Sequence, residues 1–278
     1  MSTSAATAGP AAPGGGLWAA VRARLGIVAL LFVLAGFAWW WTADRMDGMD
    51  AGPGTDLGTL GWFIGIWVVM MAAMMFPSVA PTVALYSRMR RERDAIAPLI
   101  FTSGYLAVWG AAGVVAYGVF RLGRALLGDQ LAWDNAGQWV AGGILVIAAI
   151  YELTPLKDAC LSKCRSPLGY LMGSWREGRL GAFRMGAGHG AWCLGCCWAL
   201  MAALFALGVM SLAWMAIVAG VIALEKTLPY RRIATWGTAA VLLILAVGLL
   251  AFAGDVPGLT VPGSDESMKA MDSMQMTP

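Results

Sequence analysis

Charge is scarce in this chain. Asp, Glu, Lys and Arg make up 13% of its 278 residues, about half the share of an ordinary soluble domain. In their place 59% of residues are hydrophobic, and mean hydropathy is +0.70. That balance excludes a water-soluble monomer. It also excludes disorder over most of the length, because disorder requires low hydrophobicity. A β-barrel does not fit either, since barrel strands alternate apolar with polar residues. Histidine is scarcer still, with His189 alone. Cysteine is limited to Cys160, Cys164, Cys193, Cys196 and Cys197. No Walker loop, dinucleotide fingerprint or nucleophile elbow occurs. Any transport would therefore follow a gradient, trap its ion or use a partner. No strong internal repeat is visible, and no polar stretch is long enough to fold as a separate soluble domain.

What is present is apolar helix. The reading is an all-α, polytopic helical membrane bundle. A helix needs about 20 apolar residues to cross the hydrocarbon core, and seven runs are expected to do so: 20–41, 60–77, 97–120, 137–156, 189–207, 210–226 and 233–252. The fifth and sixth are one continuous apolar run, with a reversal placed at Gly208–Ser211. A single long tilted helix there would give six spans. Lys and Arg are expected to mark the cytoplasmic side. With the N-terminus inside, the inner segments hold Arg22, Arg24, Arg88, Arg90, Arg91, Arg93, Lys157, Lys163, Arg165, Arg176, Arg179, Arg184, Lys226, Arg231 and Arg232. The outer ones hold Arg45, Arg121, Arg124 and Lys269, among many acids. The expectation is therefore N-in and C-out. The net charge of +3 only averages two opposed faces, and nothing indicates a nucleic-acid partner. Residues 1–16 read as a disordered cytoplasmic tail, 17–252 as the transmembrane domain and 253–278 as a Met-rich flexible outer tail. The first span reads as an uncleaved signal anchor.

The strongest chemical signal is His189-Gly190-Ala191-Trp192-Cys193-Leu194-Gly195-Cys196-Cys197. At about 100° per residue, Cys193 lies about 40° from His189 and Cys196 about 20° to the other side, on one narrow helical face. Cys197 sits about 80° away. Thiolate and imidazole suit Cu(I), Zn(II) or an iron centre. The competing reading is packing, because Cys behaves as a small buried hydrophobe. The second signal is Met70-Met71-Ala72-Ala73-Met74-Met75-Phe76-Pro77. Met70/Met74 and Met71/Met75 are each one turn apart on a shared face, and thioethers are soft ligands for Cu(I). Pro77 and Pro81 are expected to kink or break the helix there. This spacing resembles the M-x-x-x-M motif of the eukaryotic high-affinity copper transporters.

Orientation places both blocks toward the cytoplasmic ends of their helices, at similar depth. Glu152 and Glu225 share that depth. Glu152 could orient His189 from behind as a hydrogen-bond acceptor, whereas Glu225 could simply pair with Lys226 or a nearby Arg. Cys160 and Cys164, one helical turn apart, form a candidate cytosolic thiol pair. Lys157, Lys163 and Arg165 are expected to favour its thiolate form. None of the cysteines falls in an outer segment, so no structural disulfide is expected. The outer face carries methionine instead: Met46 and Met49 in the first loop, and Met268, Met271, Met274 and Met276 in the tail. Spaced Met in a solvated tail has no core to fill and resembles copper-scavenging segments.

Together, MMAAMMFPSVAP with its following basic loop and HGAWCLGCCWALMAALFALGVM with its continuation to Glu225-Lys226 resemble an uncharacterised bacterial family. Its members are described as predicted metal-binding integral membrane proteins. The resemblance covers roughly 60–230 and implies metal binding in a membrane, without a defined reaction. The expectation is a multi-pass protein of the bacterial inner membrane that binds a soft metal, Cu(I) ahead of zinc or iron, in copper uptake, transfer or homeostasis. Its partners would be the lipid bilayer, the metal ion, a periplasmic or cytosolic metal chaperone, and a second copy of the chain if it oligomerises. This reading favours a metal handler over an enzyme. The alternatives are a membrane thiol–disulfide oxidoreductase, a membrane metalloenzyme subunit or assembly factor, and a packing scaffold.

Overall fold

The computed structural model describes residues 14–46, 57–90, 94, 96–128, 136–209, 211–228 and 230–251. Among these are nine α-helices and no strand: α1 (Gly14–Met46), α2 (Leu60–Met89), α3 (Ala97–Leu127), α4 (Gln138–Glu152), α5 (Pro155–Arg165), α6 (Pro167–Ser174), α7 (Gly178–Leu207), α8 (Leu212–Thr227) and α9 (Arg231–Ala251). Five described helices are long and apolar enough to cross a membrane: Leu25–Met46, Leu60–Met89, Ala97–Leu127, Gly178–Leu207 and Arg232–Ala251. A sixth is reached if α4 and α5 form one broken span.

The expected count of seven is therefore not reproduced, and the reasons are local. Residues 137–156 do not make one helix. α4 ends at Glu152, and α5 leaves at 67° to it. Pro155 suits that break, because it carries no N–H and is favoured in the first turn of a new helix. Thr154 caps α5 by accepting the Lys157 N–H at 3.3 Å. α8 is separate from α7, as the expected reversal requires, but its 16 residues span only about 24 Å. That is short of the roughly 30 Å hydrocarbon core.

Of the kink or break expected at Pro77 and Pro81, the break does not occur. α2 continues through both prolines to Met89. Pro77 cannot donate to the carbonyl four residues earlier, that of Ala73. Trp39 on α1 takes the missing donor's place, its Nε1 bonding the Ala73 oxygen at 3.2 Å. A donor from the neighbouring helix thus satisfies the carbonyl that the proline orphans.

α7 is the axis of the bundle, and its glycines explain how. A Cβ at Gly186 would lie 1.8 Å from the Phe101 carbonyl oxygen on α3, and one at Gly190 would lie 2.9 Å from that of Tyr105. From the other side, a Cβ at Gly104 on α3 would lie 2.2 Å from the Phe183 carbonyl oxygen. Small residues at helical spacing let two backbones approach where apolar attraction between side chains is weak. The pairing of Phe101 with Gly186 and Tyr105 with Gly190 makes α3 and α7 parallel. α2 runs antiparallel to α7, since Met75 meets Cys193 while Phe63 meets Phe205. Gly208, at φ +111°, turns α7 back into α8, so that Lys226 returns to the level of Cys193.

Gly186→Ala should destabilise the protein by at least the roughly 1–3 kcal/mol of an overpacked core. Gly237→Ala, where a Cβ meets nothing within 4 Å, should be neutral or stabilising. Thermal unfolding of the two variants in detergent checks this. Equal melting temperatures would mean that α3 and α7 do not touch at Gly186.

Candidate metal centre

Cys193, Cys196 and Cys197 occupy the middle of α7, each 1% exposed. Their spacing of three and four residues puts them on one face of the helix, and their sulfurs lie within 4.8 Å of one another. The Cys196 and Cys197 sulfurs are 3.3 Å apart. All five cysteines are unpaired thiols.

Four further helices bring groups to this cluster. α5 contributes Cys164, whose Sγ is 3.7 Å from that of Cys196. α5 can come this close because residue 195 is glycine: a Cβ there would lie 2.7 Å from the Cys160 sulfur. The Gly195 carbonyl also accepts the Tyr151 hydroxyl of α4 at 2.5 Å. α2 contributes Met75, with its Sδ 4.0 Å from the Cys193 Sγ. α8 contributes Lys226, whose Nζ donates to the Cys193 Sγ at 3.1 Å and to the Ser78 Oγ at 3.2 Å. From α3, the Tyr105 hydroxyl hydrogen-bonds the same Cys193 sulfur at 2.9 Å. An ammonium beside a buried sulfur is complementary in charge to a thiolate, the form in which cysteine binds metal.

The residues singled out in the sequence distribute unevenly around this cluster. Met70, Met71, Met74 and Met75 are all buried in α2, and Met75 is the one whose sulfur reaches the thiols. Cys160 and Cys164 both approach α7. Cys160 packs on Gly195, and Cys164 joins the α7 thiols. His189 is 3% exposed and stands outside the three-thiol group. Its ring is flanked by those of Tyr170, Tyr105 and Phe101, at centroid distances of 5.0, 6.0 and 6.3 Å. Among the described residues its Nδ1 has no hydrogen-bond partner. Tyr105 bridges the two places, with its ring toward His189 and its hydroxyl on Cys193.

Two acids are elsewhere than expected. Glu152 bonds Lys157 across the α4–α5 break rather than orienting His189. Glu225 bonds the same Lys157 at 2.7 Å instead of Lys226 or an arginine. Lys157 is thereby occupied by carboxylates, and Arg165 donates to the Leu228 carbonyl. The cation observed at a thiol is Lys226. Met46 ends α1 and is buried. Met49, Met268, Met271, Met274 and Met276 lie outside the described residues. Lys226 and Tyr105 are the site residues that sequence reasoning did not place. Both are polar groups inside apolar runs, a signal that marks candidates but does not name their partners.

Three thiols of α7, a fourth from α5 and a thioether from α2 form a sulfur-rich donor set. Soft sulfur ligands select Cu(I) over hard cations, and thiolates also accept Zn(II). Comparison with known proteins points the same way. Residues 64–249 match the PpoB2 family, described as a copper chaperone. No curated protein and no solved structure matches the chain.

Mild oxidation of the metal-free protein should form a disulfide between Cys164 and Cys196, joining α5 to α7. Mass spectrometry of the digested protein checks this. Recovery of a Cys160–Cys164 disulfide instead would contradict the placement of α5.

Proposed function

The chain belongs to the PpoB2 copper chaperone family, and from that premise we propose that it binds Cu(I) inside a membrane-embedded helical bundle and passes it on. The observation that carries this reading is the convergence of sulfurs from α2, α5 and α7: Met75, Cys164, Cys193, Cys196 and Cys197. Cys193, Cys196 and Cys197 are the principal ligands. Met75 adds a neutral thioether. His189, whose buried Nδ1 has no hydrogen-bond partner among the described residues, adds an imidazole one turn along α7. Cys164 is half-buried and sits on a short helix, which suits it to hand the ion on. Lys226 balances thiolate charge at Cys193.

The long apolar helices support insertion in a membrane, in our reading the bacterial inner membrane, with the N-terminus inside and the C-terminus outside. Met49, Met268, Met271, Met274 and Met276 would then gather Cu(I) on the outer side, where free thiols would be oxidised to disulfides. Uptake toward the cytosol, with delivery to or from a soluble metal chaperone, follows as the direction of flow. The same thiols can be read as a thiol–disulfide oxidoreductase, on the approach of Cys164 to Cys196. The thioether beside Cys193 and the family membership favour copper handling.

Purified protein should bind Cu(I), and replacing Cys193 and Cys196 together with Ser should remove most of it. Unchanged metal content in that double variant, measured by elemental analysis, would overturn the assignment. Lys226→Gln should keep the ligands yet weaken Cu(I) affinity by roughly 10–100-fold, the usual cost of losing a group that supports a ligand. Competition with a Cu(I) chelator checks it, and unaltered affinity would mean that Lys226 plays no part in the site.

A further inference from the structure

Glu152 closes α4, Lys157 lies in the first turn of α5 and Glu225 lies near the end of α8. The Lys157 ammonium bonds both carboxylates, that of Glu225 at 2.7 Å. The three side chains are 0–3% exposed. Each carboxylate spends one oxygen on the lysine. Among the described residues, the other oxygen of each, Oε1, is buried with no hydrogen-bond partner. Fully ionised, two carboxylates and one ammonium leave one negative charge uncompensated. A buried uncompensated charge is strongly unfavourable, so the cluster must take up a positive charge. The ammonium already stands against both carboxylates, in the place a metal cation would take. A proton needs no such space, only a free carboxylate oxygen, and two are present.

The cluster is also mechanically tied to the sulfur site. α5 carries Lys157 at its start and Cys164 two turns later. α8 carries Glu225 beside Lys226, whose ammonium touches Cys193. Two helices thus hold both clusters. Among the described residues, titratable groups lie on each helix around the carboxylates, and α7, packed against α4 and α5, carries His189, Cys193, Cys196 and Cys197. α4 supplies Glu152 itself and Tyr151, whose hydroxyl is bound to Gly195. α5 supplies Lys157, with Asp158 and Cys160 along the same helix. α8 supplies Glu225 and Lys226. On its other side Glu225 borders the groove between α8 and α9, where the described lining residues, such as Leu200, Trp214, Leu228 and Ile233, are otherwise without acids or bases.

We propose that Glu152 and Glu225 hold one exchangeable proton between them, and that this proton leaves when Cu(I) enters the neighbouring sulfur site. The balance is one Cu(I) ion in and one proton out, beyond whatever thiol protons the metal displaces. An O–H bond breaks, no electron moves, and the net charge of the interior is unchanged by that exchange. The second half of the inference rests on the copper reading above, and the first half does not.

Infrared difference spectroscopy of the full-length protein in detergent tests both halves. The metal-free wild type at neutral pH should show the C=O stretch of a protonated carboxyl, shifted in D2O. Glu152→Gln and Glu225→Gln should each abolish it, because Lys157 then neutralises the single remaining carboxylate. Adding one equivalent of Cu(I) to the wild type should also abolish it, with bound copper measured on the same sample. A metal-free wild-type spectrum without the band overturns the proton site, and so does a band that survives both substitutions. A band that persists with copper bound overturns the exchange. Failure of copper to bind counts against the copper reading, while the metal-free wild-type spectrum still decides the proton site whether or not the variants fold.

Discussion

Inside an apolar bundle there is no water to satisfy a stray polar group, so each must find a partner on another helix. That requirement positions the elements of this protein. Trp39 of α1 supplies the donor that Pro77 denies to Ala73, and this holds α1 and α2 together at the turn that carries Met75. Tyr151 of α4 seeks the Gly195 carbonyl, which brings α4 to the thiol-bearing turn of α7. Lys226 of α8 lies against Cys193 and Ser78. Lys157 of α5 joins Glu152 and Glu225. The glycines of α3 and α7 admit the close backbone approach, and the polar pairs fix the register. The sulfur cluster lies where these constraints meet.

The chemistry follows from that placement. Thiols alone in a closed core would bind a soft ion and keep it. Here the donors come from helices of different character. α7 and α2 are long and buried at the site. α5 is short, is set at an angle by Pro155 and carries a half-buried Cys164. A neutral thioether, buried thiols beside a lysine, and a more accessible thiol make a graded set of soft donors, in keeping with a copper chaperone family.

Part of this was legible in the sequence. The helical class followed from the apolar runs, and the shared face of Cys193 and Cys196 followed from spacing alone, because both depend on contacts within one helix. The separation of α7 from α8 at Gly208 was legible for the same reason. The partners were not. Glu225 and Lys226 are neighbours in sequence, yet one faces Lys157 and the other Cys193, since consecutive helical residues point about 100° apart. Cys164 read as belonging with Cys160, but the angle at Pro155 and the missing side chain at Gly195 bring it to Cys196. Pro77 read as a kink or a break because local rules cannot foresee a tryptophan from α1. His189 lies one turn from Cys193 on the same stripe, and spacing alone did not show that its ring packs among those of Phe101, Tyr105 and Tyr170.

The central claim is that sulfur from separate helices meets at one soft-metal site. X-ray absorption at the copper edge, on purified protein loaded with one equivalent of Cu(I), tests it most directly. The account predicts copper surrounded by sulfur, with a change in the sulfur shell when Met75 is replaced by Leu and a larger one when Cys193 is replaced by Ser. A shell dominated by nitrogen and oxygen, or one indifferent to both substitutions, would contradict it.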